Sequence, residues 1–209
     1  MGLTFDRPSL NEALTSASSL GRVAFALGCA ERLCSAAELA LEEDRDAGIA
    51  APLRDALNYL WSCLSDGRFD AQRIASHRDE CEQILETTSA SEQTSTAFWD
   101  QVALAVVHTL ECASSGSVDH ASAAAMAVYD AVDGHVIERL GIFALSKDDE
   151  VRIRQHPAIQ AEISRQRADL QALLAPVPAL DWQDVVSSIH SRAIAAAMSL
   201  AAFEAEPRG

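Results

Sequence analysis

Lysine is almost missing from this chain. Lys147 is the only one, so arginine supplies nearly all of the 16 positive charges that stand against 31 aspartates and glutamates. The net charge of −15 repels phosphate backbones and anionic membrane surfaces, which sets aside nucleic-acid and membrane partners. Aromatic side chains are scarce too, at 5% of a chain that is 49% hydrophobic. Much of the apolar content is therefore alanine, a strong helix former small enough to let helices pack closely. The longest apolar run, Ala193 to Phe203, broken only by Ser199, falls short of the ~18 residues that span a bilayer. No basic, apolar leader opens the chain at "MGLTFDRPSL".

Short catalytic and binding motifs are also lacking. There is no Gly-x-Gly-x-x-Gly or Gly-x-Ser-x-Gly, no Cys-x-x-Cys and no His-Glu-x-x-His, and no glycine loop precedes Lys147. The common nucleotide cradles, hydrolase elbows, redox pairs and zinc-protease helices are thereby removed. Glu-x-x-His, which carboxylate-bridged di-iron bundles use, does not occur either. The five cysteines, Cys29, Cys34, Cys63, Cys81 and Cys112, are an odd number at scattered positions. That pattern predicts reduced thiols in a cytoplasmic protein.

What is present is helical periodicity with clear punctuation. "SLNE" offers Ser9 and Glu12 as a capping box for a short first helix. A long second helix is expected from about Ser19 to Arg45, broken by the Gly48–Pro52 region. Leu53, Leu57, Leu60, Trp61 and Leu64 mark a third, Asp70 caps a fourth, and the polar tract Thr87–Thr96 reads as the longest loop. Ser117 caps a later helix, in which Gly134 predicts a kink or a tight crossing; His156-Pro157 begins another, and Asp181 caps the last. The expectation is all-α: one domain over residues 1–209, a bundle of about seven or eight helices with no sheet.

Several constellations look reactive at first sight. Cys29 and Cys34 in "GCAERLC" would point roughly 140° apart on one helix, which prevents a shared metal or a disulfide. On the same wheel Glu31, Glu38 and Glu42 form a stripe opposite an apolar arc, and Arg32 sits at its edge as an anchor for a buried ion pair or a snorkelling cation. Asp130, Asp133, His135 and Glu138 are the densest group of metal-type ligands, yet a continuous helix spreads them around more than half of its circumference. His108 and Glu111 share a face. No metal or cofactor is expected.

Val23, Phe25, Glu31 and Arg32 in the second helix, Leu57, Trp61 and Leu64 in the third, "DHA" at Asp119–Ala121, and Pro157, Ala158, Glu162 and Gln166 in "HPAIQAEISRQ" recur in an order and spacing that resembles the YjaG-like bacterial family, a domain of unknown function numbered four-one-six. The resemblance spans about residues 20–175. His156 departs from the family's Asn, and the N-terminal arm and the C-terminal helix at about 181–204 have no counterpart in it. It implies an all-helical cytoplasmic fold, a loose association with signalling, and no established activity or catalytic residue.

Charge and missing motifs together lead to an expected noncatalytic acidic module that binds a basic protein, as an immunity or antitoxin-like protein does, or as a regulator of a signalling protein. Glu31, Glu38, Glu42, Glu43 and Asp44 are the candidate contact residues. The alternative is an enzyme or small-ligand binder with a pocket between helices, near His108, His120 or His135. Association of copies of the chain, through Ile189, Ala193, Ala196 and Leu200 on the last helix, is left open by the sequence.

Overall fold

Ser18, Asp70, Ser117, Ser146, His156 and Asp181 each offer a side-chain acceptor to a backbone N–H two or three residues on. This starts a helix by satisfying donors that have no partner in the first turn. The computed structural model describes residues 5–40, 43–89, 94–142, 144–175 and 181–205, without the side chains of 43–47, 89, 94–97 and 203–205. Those residues form nine helices: α1 Arg7–Ser16, α2 Ser19–Ala40, α3 Glu43–Asp66, α4 Ala71–Ser89, α5 Thr94–Ser115, α6 Val118–Arg139, α7 Lys147–Arg154, α8 Pro157–Leu174 and α9 Trp182–Ala205. No strand occurs among the described residues.

The count exceeds seven or eight because α7 and α8 are separate. Ser146 and Asp149 close a capping box on α7, and Pro157 holds His156 in extended backbone before α8. Three sequence expectations change. The first helix starts at Arg7 with Asp6 as N-cap, and Ser9 lies inside it, donating to the Asp6 carboxylate; Pro8 suits a first turn, where its missing N–H costs nothing. The Gly48–Pro52 region does not interrupt a helix, because α3 runs through it. Proline forfeits one internal hydrogen bond, but beyond it Leu53, Ala56, Leu57, Leu60 and Leu64 are buried and hold α3 against its neighbours. The polar tract Thr87–Thr96 is helical at both ends, since α4 extends to Ser89 and α5 begins at Thr94, and residues 90–93 lie outside the described residues.

α2 is the central helix, packed against α3, α5, α6, α8 and α9. Fifteen of its residues, from Gly21 to Ala37, are buried, Glu31 and Arg32 among them, as expected of a helix apolar on nearly all sides. Arg22 ties its start to the rest by donating to the carbonyls of Leu14, Thr15 and Gly116. Gly116 sits in the α5–α6 turn at φ +67°, a conformation that side chains with a Cβ avoid. α4 packs on α5 and α3, α1 on α6 and α8, and α7 on α6 and α8.

α9 has its closest neighbour in α2. The approach depends on Gly28, where a Cβ would meet Ile189 Cγ2 at 2.7 Å. Averaged over Trp182–Ala202, α9 has the length and mean hydropathy, 1.3, to cross a bilayer, although its longest unbroken apolar run is short. The stripe Ile189, Ala193, Ala196 and Leu200 is spent on burial in the chain's own core. Ile194 and Met198 face outward.

Candidate functional site

Glu31 and Arg32, adjacent on α2, lie at the centre of two polar networks within the apolar core. Glu31 is 1% exposed. Its carboxylate accepts hydrogen bonds from Arg54, from Ser35 Oγ at 2.7 Å and from Trp61 Nε1 at 2.8 Å. Burial pushes the Glu31 pKa upward, but the Arg54 charge and these donors outweigh it and hold the carboxyl below its ordinary value. Arg54 also grips Glu38 through Nε at 3.0 Å and Nη2 at 2.8 Å. His190 of α9 stacks on Trp61 with ring centroids 4.3 Å apart, its Nε2 4.0 Å from Glu31.

The stripe placed opposite the apolar arc is therefore corrected at Glu31, which is buried because α3 and α9 cover that side of α2. Glu38 is half-buried and paired with Arg54. The side chains of Glu42, Glu43 and Asp44 lie outside the described residues.

Arg32 points the other way, into α8. It is 1% exposed and pairs with Glu162 Oε1 at 2.9 Å and Asp169 Oδ2 at 3.0 Å. Those carboxylates overcome the cost of burial and raise its pKa, so the guanidinium stays charged. Gln166 Nε2 braces Glu162 at 3.0 Å and reaches the Ala125 carbonyl at 3.1 Å. Arg192 of α9 donates through Nε to Asp169 Oδ1 at 3.0 Å. Its Nη2 is close to the same oxygen, at 2.9 Å, but lacks hydrogen-bond geometry. The buried Arg32 and the partly exposed Arg192 thus balance two buried carboxylates, which makes the burial of those carboxylates and of Arg32 tolerable.

Beside this network is a half-open cleft of about 200 Å³ lined by Arg32, Ser164, Arg165, Ala168, Asp169 and Arg192. Arg165 adds a third positive charge, and its nearest carboxylate oxygen in an ion pair is Glu162 Oε2, at 3.9 Å. Burial and the charge of Arg32 lower its pKa, with Glu162 opposing them. None of His108, His120 or His135 lines the cleft.

The remaining candidates are kept apart or inert. All five cysteines are buried and unpaired with one another. Burial pushes the thiols of Cys29, Cys81 and Cys112 up to about 12, and Cys34 also rises, so a reactive thiolate is strongly disfavoured at neutral pH. α6 continues through Gly134 without a close neighbour at that position, which corrects the expected tight crossing and leaves Asp130, Asp133, His135 and Glu138 spread around the helix. His108 and His120 do meet, with ring centroids 5.8 Å apart, and His120 Nε2 is 4.0 Å from Glu111. Among the described residues no three His, Cys, Asp or Glu side chains are placed to hold a metal ion.

Asp169, Arg54, His190 and Arg192 were not singled out from the sequence, and Glu162 and Gln166 only through the family resemblance. A signal was present: positions 162, 166 and 169 fall at i, i+4 and i+7, on the face of α8 that also buries Ile159, Ile163 and Leu170. Polar groups on an apolar face require partners, and a charged pair inside the apolar α2 can supply them.

No protein-family model matches the chain, and no curated protein does. Among solved structures, a DUF416 family protein from Shewanella baltica OS155 superposes with a TM-score of 0.70 at 14% identity, covering 88% of this chain and 93% of that one. This chain has the fold of a DUF416 protein. That is the family, of unknown function, whose segments the sequence resembles. Coverage of 88% reaches beyond residues 20–175, so the shared fold takes in more than the segment where the resemblance was read. At this identity the likeness carries the fold alone.

Proposed function

We propose that this chain is a noncatalytic helical module that binds a basic protein in the cytoplasm through its acidic exterior. One observation carries the reading: the buried carboxylates Glu31, Glu162 and Asp169 are matched by Arg32, Arg54 and Arg192, so nearly the whole excess of −15 is left for the other residues. An exterior of one sign speeds encounter with an oppositely charged partner and discourages others. Exposed acidic side chains are dense on α4, at Asp79, Glu80, Glu82 and Glu86. The sequence adds Glu42, Glu43 and Asp44 at the α2–α3 junction, beside Glu38. Buried thiols and charge-paired interior groups support binding over chemistry, and an immunity-like or signalling-regulator role fits such a module.

The test is capture of a partner from native extract, followed by titration of the purified pair at increasing salt. A basic partner is expected, with affinity falling as salt rises. The triple substitution Glu80→Lys, Glu82→Lys and Glu86→Lys should weaken binding by about tenfold or more through encounter electrostatics. A partner that is not basic, or binding indifferent to both salt and charge reversal, overturns the proposal.

A further inference from the structure

The charge balance of the Arg32 network does not extend to the cleft beside it. Arg32, Arg165 and Arg192 face Glu162 and Asp169 there, which leaves one positive charge in excess within a chain of −15. Donors are in excess as well. The Nε–H of the fully buried Arg32 has no acceptor, Arg192 Nη2 lies 2.9 Å from Asp169 Oδ1 but without hydrogen-bond geometry, and Arg165 has its ion-pair oxygen only at the long distance of 3.9 Å. Among the side chains that line the cleft, the acceptors are Asp169 and the Ser164 hydroxyl, and that hydroxyl is already turned to the Gln160 carbonyl at 2.7 Å.

We infer that the α8–α9 cleft is a binding site for a small oxyanion, the carboxylate or phosphate group of a small molecule. The anionic head would sit against Arg165 and Arg192, whose side chains are partly exposed, and accept from their outward N–H groups with the forked geometry that guanidinium offers to such heads, while the buried Arg32 adds its charge from behind. The surface exposed in the cleft is mostly carbon, so a compact apolar body can lie against Ala168 and the arginine stems. With about 200 Å³ available, the ligand is small. This assignment stands apart from the acidic exterior and needs no protein partner.

Two probes separate the sources of the oxyanion: inorganic phosphate, and benzoate for a carboxylate on an apolar body, each titrated at constant ionic strength by calorimetry and thermal shift. At least one should bind saturably and raise the melting temperature, since a ligand held by the folded state alone stabilises it. Phosphate alone points to phosphorylated ligands, and benzoate to organic acids. Arg165→Gln should weaken the binding about tenfold, the loss of one charge-assisted contact. Ala168→Trp, at an exposed position, should abolish it by filling the cleft, with the unliganded fold kept. Failure of both probes to bind, or undiminished binding in Ala168→Trp, overturns the inference. Loss of folding in Arg165→Gln would leave Ala168→Trp to decide.

Discussion

Glu31 and Arg32 differ by one step along α2, and one step turns a helix by about 100°, which sends one side chain to α3 and the other to α8. The Glu31 carboxylate is the group whose environment can be read out by pH. Its folded pKa lies below the ordinary 4.5, so its charged interactions contribute in full above 4.5 and are lost as pH falls through the lower folded value. Glu31→Gln should cost about 1–3 kcal/mol at neutral pH, as the loss of hydrogen bonds to a charged group. Urea unfolding checks this, and the difference from wild type should shrink in acid, where wild type loses the same contribution. A difference that stayed constant on acidification would mean that the charge of Glu31 is not what holds Arg54, Ser35 and Trp61 in place.

The contact between α2 and α9 turns on Gly28, and Gly134 of α6, a second glycine inside a helix, behaves differently in space. At Gly28 an added Cβ would stand 2.7 Å from Ile189 Cγ2, and Ile189 is fully buried, so the pair can separate only by moving a helix. Gly28→Ala should destabilise by about 1–3 kcal/mol, the usual cost of overpacking. At Gly134 nothing lies within 4 Å of the added atom, and Gly134→Ala should stabilise by up to about 1 kcal/mol through helix propensity. Thermal unfolding of the two variants gives the signs. That contrast also shows where sequence reading runs out. Caps at Asp70, Ser117 and Asp181, and the break at His156-Pro157, were legible because they act within one turn. The partners of Arg32 lie 130 and 137 residues away, and no local pattern says which carboxylate meets which arginine. The α2 stripe misled for the same reason: helical spacing places Glu31 and Glu38 on one side, but only the position of α3 decides whether that side meets water.

Over the whole molecule two kinds of electrostatics operate under different rules. The networks around Glu31 and Arg32 are short-range and shielded, so salt reaches them weakly. The exterior is a self-repelling shell, since the chain carries −15 at pH 7 with an isoelectric point near 4.6, and repulsion between exposed charges is screened within a Debye length of about 10 Å at 0.1 M salt. If the shell dominates the salt response, sodium chloride at neutral pH should raise the melting temperature. The gain should fade near pH 4.6, where little net charge remains to screen. Melting curves over a salt series at the two pH values measure this directly. A salt response that was absent at neutral pH, or destabilising there, would place the important charges inside the bundle and would remove the excess outer charge as a source of attraction for a basic partner.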